Sequence, residues 1–425
     1  MTIIHVAVLG YGTVGQGVVE SIHSHQKELQ RLLGAEIVVD AILVKDPLKV
    51  RDIPPGIVWT TNFDDILELG HIDVVLEAIV GCEPAFSYLK KAIQHGCHVV
   101  TANKVMFAHH GNELQQLADE NEVHVGYEAS VAGGIPIIRS LSELLRVNQV
   151  HRLEGILNGT SNYILTEMRE NGHSFEEVLA DAQKKGYAEA DPTADVEGDD
   201  AFYKLMILSD LLYGEQPNWT EVQREGISKV DREQMELAEE FGYRFRHVAS
   251  IEPSSRGLQG KVMPIVVPNQ HPFYHVDGVD NAVNVEASLV GSLMFQGPGA
   301  GRLPTASAMV EDLVQVLRPS LQRKGSKTIQ LDEVEGGATK LLKQWLLFVP
   351  QNPSLPTPFI TSGKLIKHKS GQKWKAILFL GDDKTIYEWK TRLPMVRLYE
   401  IRGAKEWKEL NSDQPKVPCL NSLAF

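Results

Sequence analysis

The chain has 425 residues, of which 43% are hydrophobic and 23% charged, the make-up of an ordinary globular protein with room for two or three domains. A formal net charge of −13 argues against nucleic acid or an anionic membrane as the main partner, and no apolar run reaches the length of a membrane span. The three cysteines, Cys82, Cys97 and Cys419, lack metal-type spacing and suit a reducing compartment, so with no basic leader ahead of the first strand-like run the chain is expected in the cytoplasm.

The run IIHVAVLGYGTVGQGVVESI reads as a strand, then Gly10-x-Gly12-x-x-Gly15, then a helix. In such a fingerprint the first glycine allows the tight turn, the second lets a pyrophosphate approach the backbone, and the third permits close helix–strand packing. The helix that follows aims its N-terminal N–H groups at the phosphates. After the second strand, EIVVDAILV (36–44), come Lys45 and Asp46, with Lys49 and Arg51 nearby. The basic residues suit a 2′-phosphate and favour NADP over NAD; a solvated charged loop is the alternative. Further strand–helix units follow at 71–96 and 97–122, which predicts a doubly wound, Rossmann-type parallel sheet. Its ligand should lie beyond the carboxyl ends of the strands, where Gly10–Val14, Ile79–Gly81 and Lys104 fall.

Residues 123–141 read as a strand, a Gly-rich turn and a helix. The turn Glu128–Ile135 exposes backbone carbonyls that can ligate a hard cation, or serves only as a crossing between domains. A strand meets a helix at Asn158-Gly159-Thr160, a usual place to hold a small polar ligand, and the next helix has Ser174 as N-cap and Gly186 as C-cap candidates. The stretch GYAEADPTADVEGDDAFYKL (186–205) holds six acids, Glu189, Asp191, Asp195, Glu197, Asp199 and Asp200, and one lysine, Lys204. At 100° per residue, Asp200 and Lys204 fall on the apolar face of the following helix with Ile207, Leu208 and Leu211, and Asp199 falls off it. An i,i+4 ion pair on a buried face is costly unless it is satisfied or used, which makes Lys204 a candidate proton donor beside a structural alternative. Residues 245–300 alternate as a β-rich sheet with one covered face. The Gly-rich turn at Gly299 and Gly301 opens an amphipathic helix that returns to close the first domain.

These motifs resemble the homoserine dehydrogenase family over roughly residues 1–320: GYGTVGQG (10–17), TANK (101–104), YEASVAGGIPI (127–137), LNGTSNYIL (157–165), the acidic stretch at 186–205, and GPGAGRLPTAS (297–307). The resemblance implies reduction of L-aspartate 4-semialdehyde to L-homoserine with NADP or NAD, in threonine and methionine biosynthesis. It implies Lys204 as proton donor, and Glu189, Asp200, Asp195, Thr160 and Lys104 around the substrate. Gly10, Tyr11, Gly12, Thr13, Val14, Gly15, Lys45, Val80, Lys104 and Gly301 would line the cofactor site. Glu128, Val131, Gly133 and Ile135 would hold a monovalent cation such as Na+, mainly through main-chain oxygens. It also implies a homodimer formed through the β-rich middle domain.

The expected organisation is a dinucleotide-binding domain (1–134 with about 302–335), an α+β substrate, catalytic and dimerisation domain (135–301), and a small C-terminal α+β module (340–425). The last departs from the ACT module with which many relatives end. Strands are expected at KQWLLFVP, GKLIKHK, KWKAILFLG and VRLYEIRG, with the helix KTIYEWKTRL before the last and a Pro-rich segment (351–358) where the first ACT helix would lie. A degenerate ACT-like module, a dimer-forming element and neither all remain open. Two rival functions are a thiolate-based aldehyde dehydrogenase working through Cys82 or Cys97, and a nucleotide sensor that has lost catalysis. The first lacks a base near either cysteine in sequence, and the second requires a broken set where Glu189, Asp200, Lys204 and Lys104 are all present.

Overall fold

The computed structural model describes residues 2–318, 343–351, 364–392 and 395–403. All but the first residue of the Pro-rich segment, Cys419, and the stretch linking the first three-quarters of the chain to the C-terminal strands lie outside these.

The first part of the chain runs β1 (Thr2–Leu9), α1 (Thr13–Ser24), α2 (Gln26–Leu33), β2 (Ala35–Leu43), β3 (Val58–Thr60), α3 (Phe63–Leu67), β4 (Val74–Glu77), α4 (Ala85–Gln94), β5 (His98–Thr101), α5 (Lys104–Glu120) and β6 (Val125–Gly126). Its six strands form one sheet in the order β3-β2-β1-β4-β5-β6, every pair parallel, so the expected doubly wound sheet is present. Both faces are buried, which is why its strands read as continuous apolar runs. Val6 and Val8 pack with Val18 and Ile22 on one face, and Ala7 and Leu9 with Phe63 and Leu89 on the other. Val6 pairs with Val39 but Ala7 with Ala41, leaving Asp40 as an extra residue on β2. Across this bulge the facing of β2 reverses: Ile37 and Val39 lie with the Val6 layer, Ala41 and Leu43 with the Ala7 layer.

The chain continues through α6 (Ile137–Leu144), β7 (Val150–Ile156), α7 (Gly159–Asn171), α8 (Phe175–Lys185), α9 (Thr193–Val196), α10 (Asp199–Tyr213), β8 (Gln223–Arg224), α11 (Arg232–Glu240), β9 (Tyr243–Ser254), β10 (Gly257–Pro268), β11 (Asp280–Ala287) and β12 (Gly291–Pro298). Helix α8 carries the expected caps: the Ser174 hydroxyl accepts from Glu177 N in a full capping box, and Gly186 closes it in the left-handed region. Helix α12 (Arg302–Val316) then returns to the first sheet. A Cβ on Gly17 of α1 would stand 2.8 Å from the Arg302 carbonyl and 3.1 Å from Ala306, so the glycine sets how closely these two helices approach.

Strands β13 (Lys343–Pro350), β14 (Lys364–Ser370), β15 (Trp374–Gly381) and β16 (Arg397–Ile401), with α13 (Asp383–Arg392) before the last, appear where the sequence placed them. They belong to the same sheet as the middle of the chain, a ten-stranded array ordered β12-β11-β7-β9-β10-β16-β13-β15-β14, with β8 beside β10. The junction is the parallel β10–β16 contact at Val266 and Ile401. It is reinforced by Phe245, Phe348 and Tyr399 in one aromatic cluster and by Arg402, which pairs with Glu154 and with Glu400 at 3.1 Å. Among the described residues no helix is long and apolar enough to cross a membrane.

The face expected for α10 needs correction. The helix is buried nearly all round: Phe202, Met206 and Ser209, off that face, are as enclosed as Ile207 and Leu208, and Leu211 is only half-buried. A wheel assumes one wet side, whereas α10 packs against α5, α6, β9 and β10 at once.

Candidate active site

The three glycines of the fingerprint have different surroundings. Gly10 has φ +93°, and a Cβ there would lie 2.7 Å from the Ala78 carbonyl. One on Gly15 would stand 1.9 Å from the Gly10 carbonyl, whereas one on Gly12 would meet nothing within 4 Å. The open ground is thus over Gly12, the residue that caps α1, with Thr13 exposed and Val14 half-buried beside it. That cradle fits a dinucleotide pyrophosphate.

Beyond the strand ends, Val80 is 95% exposed, and on the loop after β2 Leu48 and Val50 are 89% and 96% exposed. Lys45 is exposed on that loop, and Arg51 Nη1 donates to the Asp46 and Lys49 carbonyls at 2.5 and 2.8 Å. The Tyr11 side chain is buried, and its hydroxyl donates to the Asp52 carbonyl at 3.0 Å, bracing the same loop. Gly301, at φ +127°, caps the start of α12. The sequence reading missed Glu77, which ends β4 fully buried. Its carboxylate accepts from Ile79 N and Thr101 Oγ1, both at 2.5 Å, and burial pushes its pKa up to about 7. Asn103 Nδ2 donates to the Gly81 carbonyl at 2.7 Å, so two buried polar residues set the turn that carries Val80. An acid closing a wholly apolar strand was the available signal.

Lys104 lies just past the end of β5 rather than closing that strand. It is the first residue of α5, whose N-cap Asn103 accepts from Met106 N. From there its ammonium pairs with Asp200 Oδ1, while Lys204 Nζ lies 2.8 Å from Asp200 Oδ2. Lys204 Nζ also donates to the Leu157 carbonyl at 2.6 Å. Asp200 and Lys204 are 3% and 7% exposed. Asn158 binds the acids together, donating from Nδ2 to Asp195 Oδ1 at 2.8 Å and Asp200 Oδ2 at 2.9 Å while its Oδ1 caps α7.

The electrostatics follow from this packing. Burial alone would raise the Asp200 pKa, but Lys104 and Lys204 together hold it well below the usual carboxylate range. Burial lowers Lys204, the Asp200 charge opposes that, and the charge on Lys104 adds to the lowering. Lys104 is raised, chiefly by Asp200 and further by Asp195 and Glu189. Asp195 is raised by burial and by the Asp200 charge.

The loop over this cluster is held from two sides. Thr160 Oγ1 donates to the Tyr187 carbonyl at 2.6 Å, and Gln183 of α8 donates to the Glu189 carbonyl at 3.0 Å. Glu189 itself is exposed. Asp199, off the cluster, pairs with Arg224 at 2.6 Å. The turn at 128–135 is buried apart from Gly134; Glu128 caps α6 by accepting from Ile138 N at 2.7 Å and Arg139 N at 2.9 Å, and the Ile135 carbonyl accepts from Ile137 N. Burial pushes the Cys97 thiol up to about 11 and raises Cys82, which argues against thiolate catalysis at either.

A dinucleotide cradle beyond the strand ends and a buried, charge-compensated lysine together define the class: the chain is a nicotinamide-dependent oxidoreductase. The family model for the homoserine dehydrogenase NAD-binding domain matches residues 10–128, and that for homoserine dehydrogenase matches residues 136–314. Homoserine dehydrogenase of Neisseria gonorrhoeae is 42% identical over 315 residues, 74% of this chain and 72% of that protein. That of Bacillus subtilis is 42% identical over 319 residues, 75% of this chain and 74% of its own. A solved homoserine dehydrogenase from Thiobacillus denitrificans superposes with a TM-score of 0.84 at 36% identity, covering 94% of this chain and 98% of that one. A hyperthermophilic archaeal homoserine dehydrogenase in complex with NADPH superposes at a TM-score of 0.64 and 28% identity, covering 74% and 98%. The chain belongs to the homoserine dehydrogenase family.

Proposed function

We propose that the chain reduces L-aspartate 4-semialdehyde to L-homoserine with NADPH or NADH, with Lys204 as the proton donor, in threonine and methionine biosynthesis in the cytoplasm. The observation that carries this reading is the Lys204 ammonium, buried and held by two acceptors, Asp200 and the Leu157 carbonyl. An ammonium has three donors, so one remains for the aldehyde oxygen as it gains negative charge. Burial and Lys104 lower the Lys204 pKa, which eases proton release at neutral pH, and Asp200 keeps the group charged until it is needed. The nicotinamide cofactor, with its pyrophosphate over Gly12, would supply the hydride when bound. Glu189, Asp195 and the remaining acceptor capacity of Asp200 attract the substrate's ammonium group, with Thr160 and Lys104 as further contacts. Lys45, with Lys49 and Arg51 nearby, favours NADP by offering positive charge to a 2′-phosphate.

The oxygen-only donors of Glu128, Val131, Gly133 and Ile135 suit a monovalent cation such as Na+, since each backbone carbonyl keeps a second lone pair beyond any hydrogen bond it accepts. In this reading residues 1–134 with about 302–335 bind the cofactor, 135–301 bind substrate and dimerise, and 340–425 form the C-terminal module. A homodimer is supported by β12, an edge strand with five of its eight residues exposed, preceded by Leu289 and Val290 at 74% and 45% exposure. Steady-state assays with aspartate semialdehyde and each reduced nicotinamide, with and without Na+ and threonine, test the reading. Oxidation of neither cofactor would refute it, and light scattering gives the subunit count.

A further inference from the structure

A second polar cluster lies on the flank of the first sheet, away from the cofactor cradle. His5 on β1, Asp40 on β2 and His71 in the loop before β4 bring one ligand atom each to within 4.8 Å of one another. His5 Nδ1 is 2.9 Å from Asp40 Oδ2, His71 Nε2 is 3.9 Å from Asp40 Oδ1, and the two rings meet edge to face with centroids 4.5 Å apart. We propose that these three side chains form a binding site for a first-row divalent transition cation of the Zn2+ type.

Three features favour a metal site over a plain His–Asp pair. First, Asp40 is the extra residue of the β1–β2 bulge, and bulges in parallel pairs are rare and re-aim side chains. Here the bulge is the point at which β2 reverses its facing, and it sets the carboxylate beside His5. Second, His71 Nδ1 lies 2.6 Å from the Leu69 carbonyl. A carbonyl only accepts, so Nδ1 carries the proton and the lone pair is on Nε2, the nitrogen that faces Asp40. An imidazole tethered through its distal N–H is the usual support of a metal-binding histidine. Third, the backbone around His5 is fixed from the same loop: His5 N donates to Asp73 Oδ2 at 2.7 Å, and Asp73 N donates to the His5 carbonyl at 2.9 Å.

Two imidazoles and one carboxylate are a mixed nitrogen–oxygen set of the kind that takes zinc, nickel or cobalt rather than calcium or magnesium. Ligand atoms at about 2.0–2.2 Å from a tetrahedral zinc stand roughly 3.4 Å apart, so small side-chain rotations from the present positions close the site. The side chains of His5, Asp40 and His71 are 29%, 21% and 44% exposed, which leaves an entry path and room for a water in the fourth position. The five residues from His5 to Gly10 span about 16 Å of extended strand, so the site is separate from the pyrophosphate cradle. A metal there would clamp β1, β2 and the α3–β4 loop and act on stability rather than turnover.

Titration of the EDTA-stripped full-length protein with Zn2+ by calorimetry should show one saturable site per chain that is lost, or weakened at least about tenfold, in both His71→Ala and Asp40→Asn. Co2+ should give the visible absorption of a four-coordinate nitrogen–oxygen site in the wild type alone. Excess Zn2+ should raise the thermal midpoint of the wild type and not that of His71→Ala, while metal-free turnover of that variant equals wild type. His98→Ala, which removes the His98–His124 stack next to Asp73 but none of the three ligands, should bind Zn2+ normally. Zn2+ affinity unchanged in both site variants, or no saturable binding to the wild type, would overturn the assignment.

Discussion

Replacing Asp200 by asparagine removes one negative charge from between two ammonium groups and keeps the side-chain shape. Lys204 Nζ lies 2.8 Å from that carboxylate. At an effective dielectric of about 20, unit charges at that separation attract by about 6 kcal/mol, an upper limit because the amide oxygen still accepts a hydrogen bond. Neighbouring opposite charges in proteins shift a pKa by about 1–3 units, about 1.4–4 kcal/mol. The Lys204 pKa, already lowered by burial, should therefore fall by that further amount. A proton donor works only while protonated, so the alkaline limb of kcat/KM for aldehyde reduction should move to lower pH by about 1–3 units. The measurement is the steady-state oxidation of reduced nicotinamide across pH at saturating cofactor. Because removing one partner of a buried ion pair costs about 3–5 kcal/mol, circular dichroism must show the variant folded at each pH. A folded Asp200→Asn enzyme whose alkaline limb stays at the wild-type pH would refute the electrostatic role of Asp200.

Lys204→Ala should lower kcat by about 10²–10⁴ with the fold intact, and near-normal turnover would remove the lysine from the donor role. Lys45→Ala combined with Arg51→Ala should raise the KM for NADPH and leave that for NADH unchanged; equal effects on both would remove the 2′-phosphate assignment. Glu77→Gln should stabilise the protein in alkaline but not in acidic solution. The Glu77 pKa rises from an ordinary 4.5 to about 7 on folding, so the folded chain holds that proton more tightly. Its contribution is complete below pH 4.5 and is lost as pH rises through about 7, where ionising the buried carboxyl costs about 3 kcal/mol. Thermal melts at about pH 8 should thus favour the variant by an amount of that order, and equal midpoints would place the carboxylate in a better-solvated setting than its burial implies.

Much of this protein is written locally. Apolar runs of strand length, separated by amphipathic helices, specify a parallel sheet because both of its faces are covered. The spacing of Gly10, Gly12 and Gly15 specifies where a phosphate can approach, because each glycine meets a constraint within one strand–turn–helix unit. The i,i+4 spacing put Asp200 and Lys204 together, since four residues make about one turn. What the sequence left open is non-local. Leu157 and Asn158 meet the Asp200–Lys204 pair across more than forty residues, and Lys104 reaches Asp200 from a different sheet layer. Tyr11 turns inward to Asp52 although its neighbours line the cradle, and β16 joins β10 across more than 130 residues of sequence, a pairing that no single-element pattern reports. Periodicity tells which side of an element is apolar, but only packing tells whether the other side is wet. For α10 it is not. That burial on all sides turns an ordinary helical ion pair into a desolvated, charge-compensated site.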